Sequence, residues 1–189
     1  MFLRAIPNII TLIRILLVLP VAVSILRHEF GWTLGLFAVA SVSDGLDGFL
    51  ARRFNWISHF GSMLDPIADK LLLVVTFLLL TYTGYLPLWL AAVVIARDLI
   101  ILTGATLYHI LYGAYDFAPT YWGKLSTSLQ FTLVLLVLFD QSFYALPALL
   151  LDWGVWLVLV ISSISGLDYV WVWGHKAVDA HRTLREKIK

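Results

Sequence analysis

Four aspartates stand at helical intervals in apolar surroundings: Asp44 and Asp47 three residues apart, Asp65 and Asp69 four apart. A charge at the centre of a bilayer costs about 3 kcal/mol on insertion scales, so four together are too expensive to be incidental. At roughly 100° per residue, each spacing puts its pair on one face of a helix. Counted outward from a turn around residues 55–60, the two pairs differ in depth by only about 4 Å at 1.5 Å per residue. Folded as an antiparallel hairpin, the two helices can present four carboxylates to one point. Anions that close repel unless they are protonated or neutralised, and a divalent cation is the economical answer. The chain has no cysteine, and His59 is the only histidine nearby. The donors are then all hard oxygens, which favours Mg²⁺ or Mn²⁺ over zinc. Spacing alone also suits a proton pathway or a polar cluster in a carboxylate-gated transporter.

Other polar residues recur at helical spacing. Asn8, Thr11 and Arg14 form one stripe, and Lys124, Thr127 and Gln130 form another just after Gly123. Arg97 and Asp98 fall in the middle of an apolar run. As neighbours they point about 100° apart, which predicts a partner for each on another helix. Ser162, Ser163, Ser165, Asp168 and Tyr169 read as helix packing and interface anchoring. His109, His175 and His181 read as interfacial or solvated.

The elements that must position these residues are membrane spans. Of 189 residues, 61% are hydrophobic and 13% charged, where a soluble domain carries roughly a quarter charged. The mean hydropathy is +0.90. Six apolar segments, near residues 8–26, 31–54, 63–83, 86–111, 124–139 and 147–173, are each long enough to cross a bilayer as a helix. The prediction is an all-α membrane protein of six transmembrane helices forming a single domain over residues 1–189. Trp32, Trp89, Trp153 and Trp156 fall at one set of helix ends, and Trp56, Trp122, Trp171 and Trp173 at the other, as interfacial anchors do. Arg4, Arg52, Arg53, Lys124, Lys176, Arg182, Arg185, Lys187 and Lys189 gather on the face that holds both termini, while the opposite loops hold only Arg27. The positive-inside rule then predicts cytoplasmic termini. Arg14 inside the first apolar run argues for a span there rather than a cleaved signal peptide. A net charge of +1 gives no case for nucleic-acid binding.

The stretch from Asp44 to Asp69 resembles the signature of the CDP-alcohol phosphatidyltransferases, D-x-x-D-G-x-x-A-R, eight residues, then G-x-x-x-D-x-x-x-D. All eight fixed positions are matched by Asp44, Asp47, Gly48, Ala51, Arg52, Gly61, Asp65 and Asp69. The six-helix pattern extends the resemblance over nearly the whole chain. It implies a two-metal site held by Asp44, Asp47, Asp65 and Asp69, with Asp69 also the general base. It implies that Gly48, Ala51 and Gly61 admit the cytidine and pyrophosphate, and that Arg52 meets the donor phosphate. Asn8 and Thr11 are expected beside the donor, and Arg14, Arg97, Lys124, Thr127 and Gln130 beside the acceptor. The donor implied is CDP-diacylglycerol and the setting a bacterial-type inner (plasma) membrane, with the active site on the cytoplasmic side and the protein a homodimer.

Within the family, Ile6-Pro7-Asn8 and the segment 123–130 resemble the glycerol-type branch. The acceptor would then be phosphatidylglycerol or glycerol 3-phosphate. Phosphatidylglycerolphosphate synthases typically read A-R-E in the fourth helix, with another arginine eight residues after the first. Here the residues are Ala96-Arg97-Asp98 and Ala105. A missing cation suits a phosphodiester acceptor better than a phosphate monoester, and the tail 169–178 also resembles the cardiolipin branch. Cardiolipin formation is therefore the expectation, with phosphatidylglycerol phosphate formation the alternative. Phospholipase-D-type cardiolipin synthesis needs H-x-K motifs, and none of the five histidines starts one.

Overall fold

A computed structural model describes the backbone of residues 6–54, 59–112 and 120–188, and within it the side chains of residues 10–43, 68, 70–108, 110 and 120–173. These residues form six helices: α1 (Ile6–Leu26), α2 (Phe30–Phe54), α3 (His59–Tyr82), α4 (Leu88–Tyr112), α5 (Tyr121–Ser142) and α6 (Ala148–Ile188). The predicted segments each fall on one of them. α6 runs past the predicted end at residue 173 to Ile188. The apolar run stops there, but the following Lys, Ala, Leu, Arg and Glu residues are good helix formers and no proline interrupts them. Hydropathy marks where a span ends; the helix itself continues.

Stretches long and apolar enough to cross a membrane occur in α4 (Leu88–Tyr108), α5 (Tyr121–Ser142) and α6 (Ala148–Trp173). The described parts of α1, α2 and α3 contribute shorter apolar stretches, Ile10–Leu26, Phe30–Ser43 and Lys70–Tyr82. The burial pattern is that of a protein solvated by lipid. On α1 the buried line is Thr11, Arg14, Val18, Val21 and Ile25, a three-four spacing that keeps one seam turned inward. Arg14 is only 1% exposed, whereas Leu16 and Leu19 are 66% and 70% exposed. In water that arrangement would be inverted. In a bilayer it is expected, because lipid tails accept leucine while polar side chains seek partners between helices.

The chain divides into two compact units. In the first, residues 1–87 with 134–151, α1 packs against both α2 and α3. The connections at its ends are tightly wound. α3 closes on Gly84, whose φ of +86° lets Gly84 N–H reach Thr81 O (3.1 Å) and Tyr85 N–H reach Leu80 O (2.8 Å), the paired bonds of a left-handed helix cap. α1 ends the same way on His28, with φ of 58°. There His28 N–H meets Ile25 O and Glu29 N–H meets Ser24 O. The His28 ring is held edge-on to Phe30 and Tyr85. Nothing lies within 4 Å of a Cβ built on Gly84, so Gly84→Ala should cost only the backbone strain, about 1–2 kcal/mol. The thermal midpoint in detergent should fall and turnover at permissive temperature stay unchanged; an unchanged midpoint would contradict the assigned conformation.

The second unit, residues 88–133 with 152–189, packs α4, the first half of α5 and α6 through small and polar residues. A Cβ on Gly104 would meet the Trp173 ring at 3.0 Å, and one on Gly154 would meet Leu133 at 3.0 Å. Buried Ser162, Ser165 and Tyr169 line the inner face of α6, in keeping with the packing role expected of them. Ser163 on the same helix is exposed.

Candidate active site

The eight motif positions are carried by two helices. Asp44, Asp47, Gly48, Ala51 and Arg52 lie on the last turns of α2, and Gly61, Asp65 and Asp69 on the first turns of α3. The backbone is helical at every one of them, so the three- and four-residue spacings have the meaning assumed for them. The side chains of these eight positions, and that of Asn8, lie outside the described residues. Positions 65 and 69 continue in helical register the line Leu72, Thr76 and Leu80, all buried. Ala68, next to Asp69, is fully buried as well. Among the described residues no group of acidic, histidine or cysteine side chains is placed to hold a metal ion. The donor set that fits one is the aspartate quartet, whose hard oxygens suit a small divalent cation.

Thr11 and Arg14 belong to the buried seam of α1, the helix that packs on both motif-bearing helices. Their side chains are thus turned into the first unit and away from lipid. That places them on the protein side of α1, as their three-residue spacing predicted.

The remaining polar residues lie in the second unit, and they divide into separate arrangements. Arg97 is 5% exposed and makes four hydrogen bonds. Its Nε and Nη2 donate to Ser165 Oγ (3.1 and 3.0 Å), Nη2 also donates to Gly123 O (3.1 Å), and Nη1 donates to Asp98 Oδ1 (2.7 Å). The last is an ion pair between neighbours in sequence. It corrects the expectation that Arg97 and Asp98 would not pair: their Cβ directions diverge, but the long arginine side chain bends its guanidinium back to the adjacent carboxylate. Arg97 also has the partners on other helices that were expected of it, Ser165 on α6 and Gly123 on α5.

The α5 stripe is divided as well. Lys124 is exposed. Thr127 Oγ1 donates to Gly123 O one turn back (3.1 Å). Gln130 is buried, and its Nε2 donates to Ser126 Oγ (3.1 Å) and Ser162 Oγ (3.2 Å), two hydroxyls that are themselves 2.9 Å apart. This seals the α5–α6 seam with a compact polar knot. Sequence reading missed Ser126 and Thr120. The four-residue interval from Ser126 to Gln130 was the available signal, hidden because serine is as common in plain helix packing.

Residues 4–164 match the CDP-alcohol phosphatidyltransferases, and the chain belongs to that family. It is an enzyme of the CMP-forming phosphatidyltransferase class. A protein from Streptomyces coelicolor named cardiolipin synthase (CMP-forming) is 36% identical over 177 residues, covering 89% of this chain and 75% of its own. The CDP-diacylglycerol–glycerol-3-phosphate 3-phosphatidyltransferase of Bacillus subtilis is 32% identical over 181 residues, covering 86% of this chain and 92% of its own. The human cardiolipin synthase (CMP-forming) is 34% identical over 145 residues; the match takes in 68% of this chain and 48% of the human protein. Both activities expected from the sequence are thus represented among its relatives. Enzymes of this family generally depend on a divalent metal ion.

Proposed function

We propose that this enzyme transfers the phosphatidyl group of CDP-diacylglycerol to phosphatidylglycerol, releasing CMP and forming cardiolipin. The acceptor hydroxyl oxygen forms a bond to the phosphatidyl phosphorus as the bond from that phosphorus to the CMP oxygen breaks. The hydroxyl proton passes to the Asp69 carboxylate. Asp44, Asp47, Asp65 and Asp69 would hold two Mg²⁺ or Mn²⁺ ions, and the chemistry those ions would supply is neutralisation of the charge that develops in phosphoryl transfer. Arg52 meets the donor phosphate, and Gly48, Ala51 and Gly61 leave room for the nucleotide. Lys124 is the exposed cation on the acceptor side. The reading includes six spans with both termini cytoplasmic and a homodimeric protein in a bacterial-type inner membrane.

The observation that carries the choice of acceptor is Ala105, where phosphatidylglycerolphosphate synthases typically place a second arginine. A glycerol 3-phosphate monoester bears more charge than the phosphodiester of phosphatidylglycerol, so a helix with one cation fewer fits the latter. The Bacillus subtilis relative, matched over nearly all its length, favours glycerol 3-phosphate as the second reading. One assay separates them: purified enzyme, CDP-diacylglycerol and either acceptor, with products resolved by mass. Cardiolipin should form from phosphatidylglycerol. Phosphatidylglycerol phosphate from glycerol 3-phosphate, with no cardiolipin, would move the enzyme one step upstream and leave its donor chemistry intact.

A further inference from the structure

The start of α5 is pinned more firmly than a helix end at the edge of a bilayer requires. Thr120 caps it, its Oγ1 accepting the Gly123 N–H at 3.2 Å while its carbonyl accepts the Lys124 N–H at 3.1 Å. The Thr120 N–H in turn donates to Tyr169 Oη on α6 (3.2 Å). From the other side, Arg97 of α4 grips the Gly123 carbonyl and Ser165 of α6 together, and its guanidinium carbon lies 5.9 Å from the centre of the Tyr169 ring. Gly123 is small because the grip demands it: a Cβ there would sit 2.8 Å from Tyr169 Oη and 3.2 Å from Arg97 Nη2. The next residue is Lys124, whose side chain is exposed.

An arginine in this condition makes a poor phosphate ligand. Four hydrogen bonds to the protein engage all three of its nitrogens, and Asp98 neutralises its charge at 2.7 Å. One Nη1 N–H remains beyond those four bonds, so a two-pronged grip on an acceptor phosphate would require it to release buried groups, a costly exchange. We infer that Arg97 is a positioning residue: it locks the first turn of α5 so that Lys124 is presented at a fixed register to the substrate, and it leaves contact with the acceptor to Lys124. The inference rests on the proposed reading of Lys124 as a substrate-facing cation.

Ser165→Ala is the informative variant, because it removes the acceptor of two Arg97 bonds without stranding a buried charge. Arg97→Lys keeps the charge and loses the fork. Each should lower the kcat of CMP formation roughly tenfold, as small displacements of positioning groups do, with acceptor KM changed less than about twofold. Thermal stability, measured in the same detergent, reports whether each variant is folded. The decisive measurement is a double-mutant cycle. If Arg97 and Ser165 act through Lys124, Ser165→Ala in a Lys124→Ala background should cost no more than about twofold further. Three results would overturn the inference, and they differ from one another. An Arg97→Lys effect confined to acceptor KM, with Ser165→Ala like wild type, would make Arg97 a direct phosphate ligand. Full multiplication of the Ser165→Ala and Lys124→Ala effects would make the latch a matter of general integrity. Lys124→Ala with wild-type kinetics would remove the underlying reading of Lys124 itself.

Discussion

Asp69→Asn is expected to lower CMP release by roughly 10²–10⁴-fold, the range that a positioned general base contributes, while CDP-diacylglycerol still binds. The substitution is nearly isosteric and its position is within a helix, so what it removes is the ability to take a proton, together with one anionic metal ligand. The same charge change at exposed Asp152 near the start of α6 serves as a control and should leave turnover unaltered. Donor binding is read by equilibrium partition of CDP-diacylglycerol in mixed micelles, and turnover by CMP formation. Near-wild-type CMP release from the Asp69 variant would take the base away from this residue and leave the family assignment standing.

The architecture was legible because two independent sequence signals agree. Apolar runs of span length locate the helices, and polar residues at three- and four-residue intervals locate their inner faces. Thr11 and Arg14 show how far this goes: their spacing alone set them on one face, and that face continues as the buried seam Val18, Val21 and Ile25. The aspartate quartet stands out in the sequence for a different reason. Intramembrane carboxylates are costly to place, so their presence points to a metal site, an ion pathway or a polar cluster, and the fixed spacing of the motif selects among these.

What escaped the sequence depends on side-chain reach and on competition between helices. The pairing of Arg97 with Asp98 follows from a flexible side chain, which backbone geometry does not predict. Lys124, Thr127 and Gln130 look like one stripe by interval, yet they meet three different surroundings: Lys124 is exposed, Thr127 bonds back to its own helix, and Gln130 bonds to Ser162 on α6. A stripe on a single helix says which residues share a side; the neighbours facing each turn decide what those residues do. The extension of α6 to Ile188 was missed because hydropathy reports solvent and helix propensity reports backbone, and beyond Trp173 the two part company.

Chelation supplies the other large effect. Two unit charges about 5–6 Å apart repel by roughly 3 kcal/mol at an effective dielectric constant near 20. If the four carboxylates converge from one hairpin, as proposed, they cannot all stay ionised without a counter-charge. Treatment with a chelator should bring CMP formation to background, and readmission of Mg²⁺ or Mn²⁺ should restore it. Metal removal should also be accompanied by proton uptake, because carboxylates that lose a cation recover stability by protonation. A pH-stat trace during chelation, corrected for the protons the chelator itself releases on binding the same amount of ion, thus reads the quartet without relying on catalysis, and far-ultraviolet circular dichroism shows whether the helices persist. Asp47→Asn should both raise the metal concentration needed for half-maximal activity and shrink the proton uptake, since one anion fewer competes for protons once the ions are gone. Full activity in rigorously metal-free buffer would overturn the two-metal reading. Loss of activity with no proton uptake would instead place the essential ion away from the four aspartates, and would return them to the structural polar cluster that their spacing alone also allows.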